Sequence, residues 1–215
     1  MLNTKTFNWG VPVAVFVVSF AAFLIYALKR YVIYGNMELE THLLFLCNKA
    51  LAMSAVSLIS SIIILNAYNR IVPESLYLRH HIRKHFGIIT STTVVLHIFI
   101  SILLFSPANF PKLFNTSGGL HYYGAITLIF GVIAFLMVTA IDHFEGRGLE
   151  NTLIFQLGGY LGLIFLMLHL AVMSYKGWFA PVEWPGNMIP LSLIAFSMLF
   201  IVLIVDLVSR ILKRK

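Results

Sequence analysis

The chain has 215 residues, 60% of them hydrophobic and only 11% charged, with a formal net charge of +7. A soluble domain carries about a quarter of its residues as charges, so this composition excludes an ordinary water-soluble globule and points to a membrane protein. The positive charge needs no nucleic-acid partner, because its distribution along the chain accounts for it.

A hydrocarbon core of about 30 Å takes about 20 apolar residues per helix. Six such runs can be cut, at 8–28, 42–65, 86–106, 120–141, 152–174 and 188–209. They do not alternate apolar with polar residues, as barrel strands would. The expected fold is all-α: a six-helix transmembrane bundle forming one domain over residues 1–215. No internal repeat or low-complexity linker interrupts it, and the loops are too short to hold a soluble catalytic domain.

The first run is long and lacks a small-residue cleavage site, so it reads as a retained helix rather than a signal peptide. The second opens at His42 and contains Cys47, Asn48 and Lys49. A single cysteine makes no internal disulfide, and Cys47 reads as an inert buried thiol. A basic stretch with Arg79, His80, His81, Arg83, Lys84 and His85 leads into the third run, which contains His97 and is closed by Pro107 and Pro111. Gly118, Gly119 and His121 precede the fourth. Gly146-Arg147-Gly148 divides it from the fifth, which contains Gln156, Tyr160 and His169. Trp178, Pro181, Trp184, Pro185 and Pro190 fill the loop before the sixth, and such aromatics favour the membrane–water interface.

Basic residues orient the bundle. Put the N-terminus, the second and fourth loops and the C-terminus on one side, and that side holds Lys5, Arg70, Arg79, Arg83, Lys84, Arg147, Arg210, Lys213, Arg214 and Lys215. The other side holds Lys29, Arg30, Lys112 and Lys176, with Lys49 inside a run. The positive-inside rule then places both termini in the cytoplasm of a plasma (inner) membrane, and the surplus charge also attracts anionic lipid.

Of the eight histidines, His80, His81, His85, His121 and His143 fall at run ends or in loops and read as solvated or interfacial. His97, in VVLHIFI, and His169, in LMLHLAV, sit inside unbroken apolar sequence. An ionisable residue at such a depth is a functional hypothesis by default; the bland alternative is a helix–helix hydrogen bond worth about 0.6 kcal/mol. The third and fifth runs leave the same face. Lys84 precedes His97 by 13 residues, and Gln156 precedes His169 by 13, which is roughly 20 Å of helical rise in each case. Both imidazoles are therefore expected at one level in the outer half. Zinc or iron bound directly would want three or four protein ligands, whereas a haem needs only two axial ones. Without C-x-x-C-H the haem would be non-covalent, b-type.

The third run, R-K-x-x-G-(x)8-L-H over 83–97, resembles the third helix of the ferric reductase-like transmembrane family. Q-L-G-G-Y-L-G-L-I-F-L-M-L-H over 156–169, V-T-A-I over 138–141 and G-W at 177–178 are similar to the haem domain of its STEAP-type metalloreductases. The resemblance covers roughly residues 40–210. It implies one haem b held between the third and fifth helices by His97 and His169, and electron transfer to an acceptor outside: Fe(III) or Cu(II), dioxygen, a quinone or a periplasmic protein.

Two-haem relatives of that family carry a second histidine pair one rung inward, where this chain has Lys84 and Gln156, so a single haem is expected. The resemblance also makes Gln156, Tyr160, Arg83 and Lys84 candidates for an inner flavin, FAD or FMN, or for docking another donor. Arginine pairs well with a flavin's phosphates, although positive-inside charge explains the same cations. No G-x-G-x-x-G is present, so hydride from a nicotinamide would need a separate partner such as a flavin reductase. The haem subunit that feeds a bacterial periplasmic methionine sulfoxide reductase is a related precedent, with further histidines that this chain lacks. A homo-oligomer is compatible with the sequence.

Lys49 lies about seven residues inside the second run, roughly 10 Å deep. Its amine should snorkel outward or pair with a haem propionate, and Asn48 could hydrogen-bond the same group. His42 and His121, at the outer rim, are candidates to hold a substrate metal ion. Two other classes of function compete with electron transfer: a haem-binding anchor subunit of a larger redox complex, and a haem-free helical scaffold.

Overall fold

The computed structural model describes residues 4–72, 76–144, 153–172 and 174–213, with side chains described over 9–72, 82–140, 157–172 and 174–213. Among the described residues seven α-helices follow in chain order: α1 (Thr4–Ala27), α2 (Leu39–Ile71), α3 (Leu76–Leu103), α4 (Tyr122–Phe144), α5 (Leu153–Val172), the single turn α6 (Tyr175–Trp178) and α7 (Leu191–Lys213). A π-helical stretch, Leu28–Ile33, continues α1. Among the described residues there is no strand, only one isolated bridge between Phe114 and Leu120.

Among the described residues five helices are long and apolar enough to cross a membrane: Trp9–Ile33, Leu39–Ile71, Ile82–Leu103, Tyr122–Ala140 and Pro185–Lys213. The chain is thus an all-helical, multi-pass membrane protein. The predicted fifth run appears as α5, whose described apolar part, Leu157–Val172, is shorter than a crossing helix. Val18, Ile102, Leu136 and Ile201 are each more than half exposed, which suits helices whose surroundings are hydrocarbon. The helices outrun the apolar runs. α2 continues to Ile71, and α3 starts at Leu76 rather than at residue 86. Hydropathy sees only the part of a helix that lipid would cover, so the polar turns at each end were read as loop. The basic stretch from Arg79 to His85 is therefore helical.

The chain divides into two compact units, Met1–Ile102 with Ser197–Lys215, and Leu103–Phe196. In the first, α2 is the buried helix: Leu46, Ala50, Met53, Ser54 and Leu58 are all shielded. Leu58 packs with Ile82 and Phe86 of α3, and Val15 and Phe16 of α1 close the cluster. In lipid, helices associate through close packing and internal hydrogen bonds rather than hydrophobic burial. Ala50, Ser54 and Ala55 keep the α2 surface low. The hydroxyls of Ser54, Ser57 and Ser61 donate to carbonyls one turn back, at Ala50, Met53 and Ser57, which satisfies them without water.

One polar cluster pins α2 to α7. Asp206, almost fully buried, accepts from Arg70 and from Arg210. Arg70 also donates to the Ser209 hydroxyl at 2.8 Å, and that hydroxyl donates to the Asp206 carbonyl at 2.7 Å.

In the second unit α4 packs along α5, with the Phe130 and Phe165 rings 5.6 Å apart. The connection into α4 is tied by Asn115, whose Oδ1 accepts from the Ser117 and Gly119 amides. Trp178 donates its indole N–H to Ser192 at 3.0 Å, and Trp184 to the Gly177 carbonyl at 2.8 Å. Both predicted interfacial tryptophans are thus paired at their polar edge.

Removing one partner of a buried ion pair strands the other. Asp206→Ala should therefore lower unfolding stability in detergent by about 3 kcal/mol. The double variant Arg70→Ala/Asp206→Ala should recover part of that loss, as read by thermal denaturation.

Candidate functional site

His97 stands on the face of α3 that carries Phe86, Thr90, Thr93 and Ser101, spaced at helical period. Phe86, Thr90 and Thr93 are buried. His97 Nδ1 donates to Asn48 Oδ1 of α2 at 2.8 Å, and Asn48 Nδ2 donates to the Ser101 hydroxyl at 2.8 Å. Asn48 is only 2% exposed, and its amide is bonded at both ends. With its oxygen toward the imidazole, the ring proton sits on Nδ1.

His169 is held in the same way by different means. Its Nδ1 donates to the backbone carbonyl of Thr127 in α4, at 2.8 Å. A carbonyl only accepts, so Nδ1 must carry the proton and, in the neutral ring, Nε2 carries the lone pair. Gly131 makes the approach feasible: a Cβ there would lie 2.8 Å from His169 Nδ1 and 3.0 Å from Cε1. The ring thus rests in the notch left by a missing side chain, one turn beyond the carbonyl it binds.

A histidine that ligates a metal through one nitrogen usually donates its other N–H to a carbonyl or carboxylate, which fixes the tautomer and raises its basicity. Each of these two histidines, within its own unit, has that arrangement. His97 belongs to the first unit and His169 to the second.

The remaining predicted residues divide differently. Lys49, expected to snorkel or meet a propionate, places its ammonium 4.4 Å from the centre of the Phe45 ring and 5.4 Å from that of Tyr31. Asn48 turns to His97 rather than accompanying Lys49. Arg83 is half-buried on α3 and Lys84 is exposed. His85 stacks edgewise on Trp9, ring centres 4.1 Å apart. Tyr160 is half-buried on α5, while the side chain of Gln156 lies outside the described residues, as do those of Arg79, His80, His81 and His143. His42 and His121 fall in different units. His42 Nδ1 bonds locally, to the Glu38 carbonyl and the Thr41 hydroxyl, and His121 Nδ1 accepts from the Tyr123 amide. Among the described residues no three His, Cys, Asp or Glu side chains gather into a metal site.

Sequence reading missed Gly131 and the Thr127 carbonyl. A lone glycine in the apolar run LIFGVIAF was the available signal, since small residues in membrane helices mark close approach. A backbone carbonyl leaves no trace in sequence. It also misassigned Asn48, because neighbours in sequence on a helix point about 100° apart.

No protein-family model matches this sequence, and no curated protein matches it either.

Gly131→Ala should drive a methyl into the His169 ring. The expected cost is about 1–3 kcal/mol of overpacking, measured as a lower unfolding midpoint in detergent. Gly162→Ala, whose added Cβ would meet the Met137 Cβ at 3.1 Å, should be milder and leave the His169 ring signals unmoved in NMR.

Proposed function

We propose that this chain is a transmembrane electron carrier that holds one b-type haem by His97 and His169. The observation that carries the reading is the pair of Nδ1 hydrogen bonds, to Asn48 and to the Thr127 carbonyl, which prepares two neutral imidazoles to bind iron through Nε2. The donor set fits the group. Two imidazoles complete the coordination of a porphyrin-bound iron, whereas zinc would want more protein ligands. When bound, a haem supplies one-electron redox chemistry. The protein's part is to hold the two ligands in one tautomer, to keep water from them with apolar helices, and to set their basicity through Asn48 and Thr127.

The similarity of 83–97 and 156–169 to STEAP-type haem domains supports the same reading, as does the burial of both histidines in apolar sequence. By the distribution of basic residues both termini face the cytoplasm of a plasma membrane, and electrons travel outward. Arg83 and Lys84, with Tyr160 and Gln156, are then the residues that would meet a flavin or a separate donor subunit on the inner side. Outside, the acceptor is a metal ion such as Fe(III) or Cu(II), dioxygen, a quinone or a protein.

The test is electron transfer across a sealed membrane. Haem-loaded protein supplied with FAD, in phosphatidylglycerol vesicles with trapped ferricyanide, should oxidise external dithionite faster than protein-free vesicles given the same FAD, and His97→Ala or His169→Ala should remove the difference. Rates equal to protein-free vesicles would rule the carrier out. Asn48→Leu should retain haem but raise its midpoint potential, because an imidazole that loses its Nδ1 acceptor is a weaker donor to the oxidised iron. An unchanged potential would detach Asn48 from the ligand.

A further inference from the structure

Arg30 lies in the π-helical stretch that ends α1, and it is 7% exposed. Its Nε and Nη1 are buried with no hydrogen-bond partner, and among the described residues it forms no ion pair. Its guanidinium carbon lies 5.7 Å from the centre of the Tyr31 ring. The Lys49 ammonium lies 5.4 Å from the centre of that same ring. Lys49, too, has no carboxylate partner among the described residues. Two cations therefore lie close to one aromatic ring at the end of α1, where the helix widens to π geometry. Local π-helical turns often accompany functional sites.

Ring contacts compensate a cation only in part. A buried guanidinium keeps five N–H donors that want acceptors, and leaving them unmet is costly where water is absent. The local backbone does not supply the acceptors. Gly35 and Asn36, the latter at φ 52°, fold the chain back so that the Tyr34 and Met37 amides take the carbonyls of Lys29 and Tyr31. Gly35 has to be glycine, because a Cβ there would come within 2.7 Å of the Tyr31 carbonyl oxygen. The turn is closed on itself, and Arg30 is left with its charge.

We propose that Arg30 and Lys49 form a binding site for one oxyanion, a carboxylate or a phosphate, carried by a ligand that docks against Tyr31. Two sources share that chemistry. One is a carboxylate of the cofactor bound by His97, and it rests on the proposed function. The other is the phosphate of an anionic phospholipid and stands without any haem. Arginine suits either, since its planar donors match both groups.

The experiment compares full-length wild type with Arg30→Gln, Lys49→Met and the charge-keeping Arg30→Lys. One arm titrates haemin against haemin dimethyl ester, which lacks both carboxylates, and follows the absorption spectrum. The other arm counts phosphatidylglycerol and phosphatidylcholine molecules retained in native mass spectrometry. If the cofactor carboxylate is the occupant, wild type prefers haemin to the ester by about tenfold or more, and Arg30→Gln abolishes the preference. If a lipid phosphate is the occupant, haemin and ester bind alike. Wild type then retains one phosphatidylglycerol in preference to phosphatidylcholine, Arg30→Gln and Lys49→Met lose it, and Arg30→Lys keeps part of it. Should no haemin bind at all, the electron-carrier reading fails while the lipid arm still decides this site. A wild type that distinguishes neither pair of ligands overturns the proposal, and that result needs no variant to fold.

Discussion

An imidazole inside a membrane has an N–H that must find an acceptor in the protein, because the hydrocarbon offers none. For His97 the acceptor is a side chain on a neighbouring helix; for His169 it is a helix carbonyl that a glycine notch brings within 2.8 Å. The proposed ligand pair depends on these two bonds. They set the proton on Nδ1 and leave Nε2 as the nitrogen suited to a metal. They also tie α3 to α2 and α5 to α4, so packing and chemistry depend on the same atoms.

The same constraint organises the other polar groups. The hydroxyls of Ser54, Ser57 and Ser61 fold back on α2, the tryptophan N–H groups of the second unit reach a hydroxyl and a carbonyl, and Asp206 gathers two arginines and a serine. Among the described residues the buried hydroxyls of Ser60, Thr90 and Thr127 and the guanidinium of Arg30 lack a hydrogen-bond partner, and of these only Arg30 carries a charge. It is as buried as Asp206, yet its Nε and Nη1 have no hydrogen-bond partner and among the described residues it forms no ion pair. The contrast between a satisfied acid and an unsatisfied base argues that the second awaits a ligand.

Much of this was legible in sequence. Runs of about 20 apolar residues located the helices, because lipid imposes one length scale and one polarity on every span. Their ends were not legible. Arg79 to His85 reads as a loop on hydropathy but forms the first turns of α3, since hydropathy reports what lipid covers and not what the backbone does. His97 and His169 were marked by their apolar neighbours, whereas their partners were not: a carbonyl has no residue signature, and Asn48 pointed away from the lysine beside it. Arg30 was counted among loop charges because it lies just past an apolar run. Its burial depends on how α1 ends in a π-turn closed by Gly35, which no local pattern announced.

The most direct measurement is the reduced-minus-oxidised absorption spectrum of the purified, haem-supplied protein, beside His97→Ala and His169→Ala. The account predicts a sharp b-type α band at about one haem per chain, lost in both variants while each remains folded. A well-folded wild type without haem, or a band that survives either substitution, would contradict it and return the two histidines to helix packing.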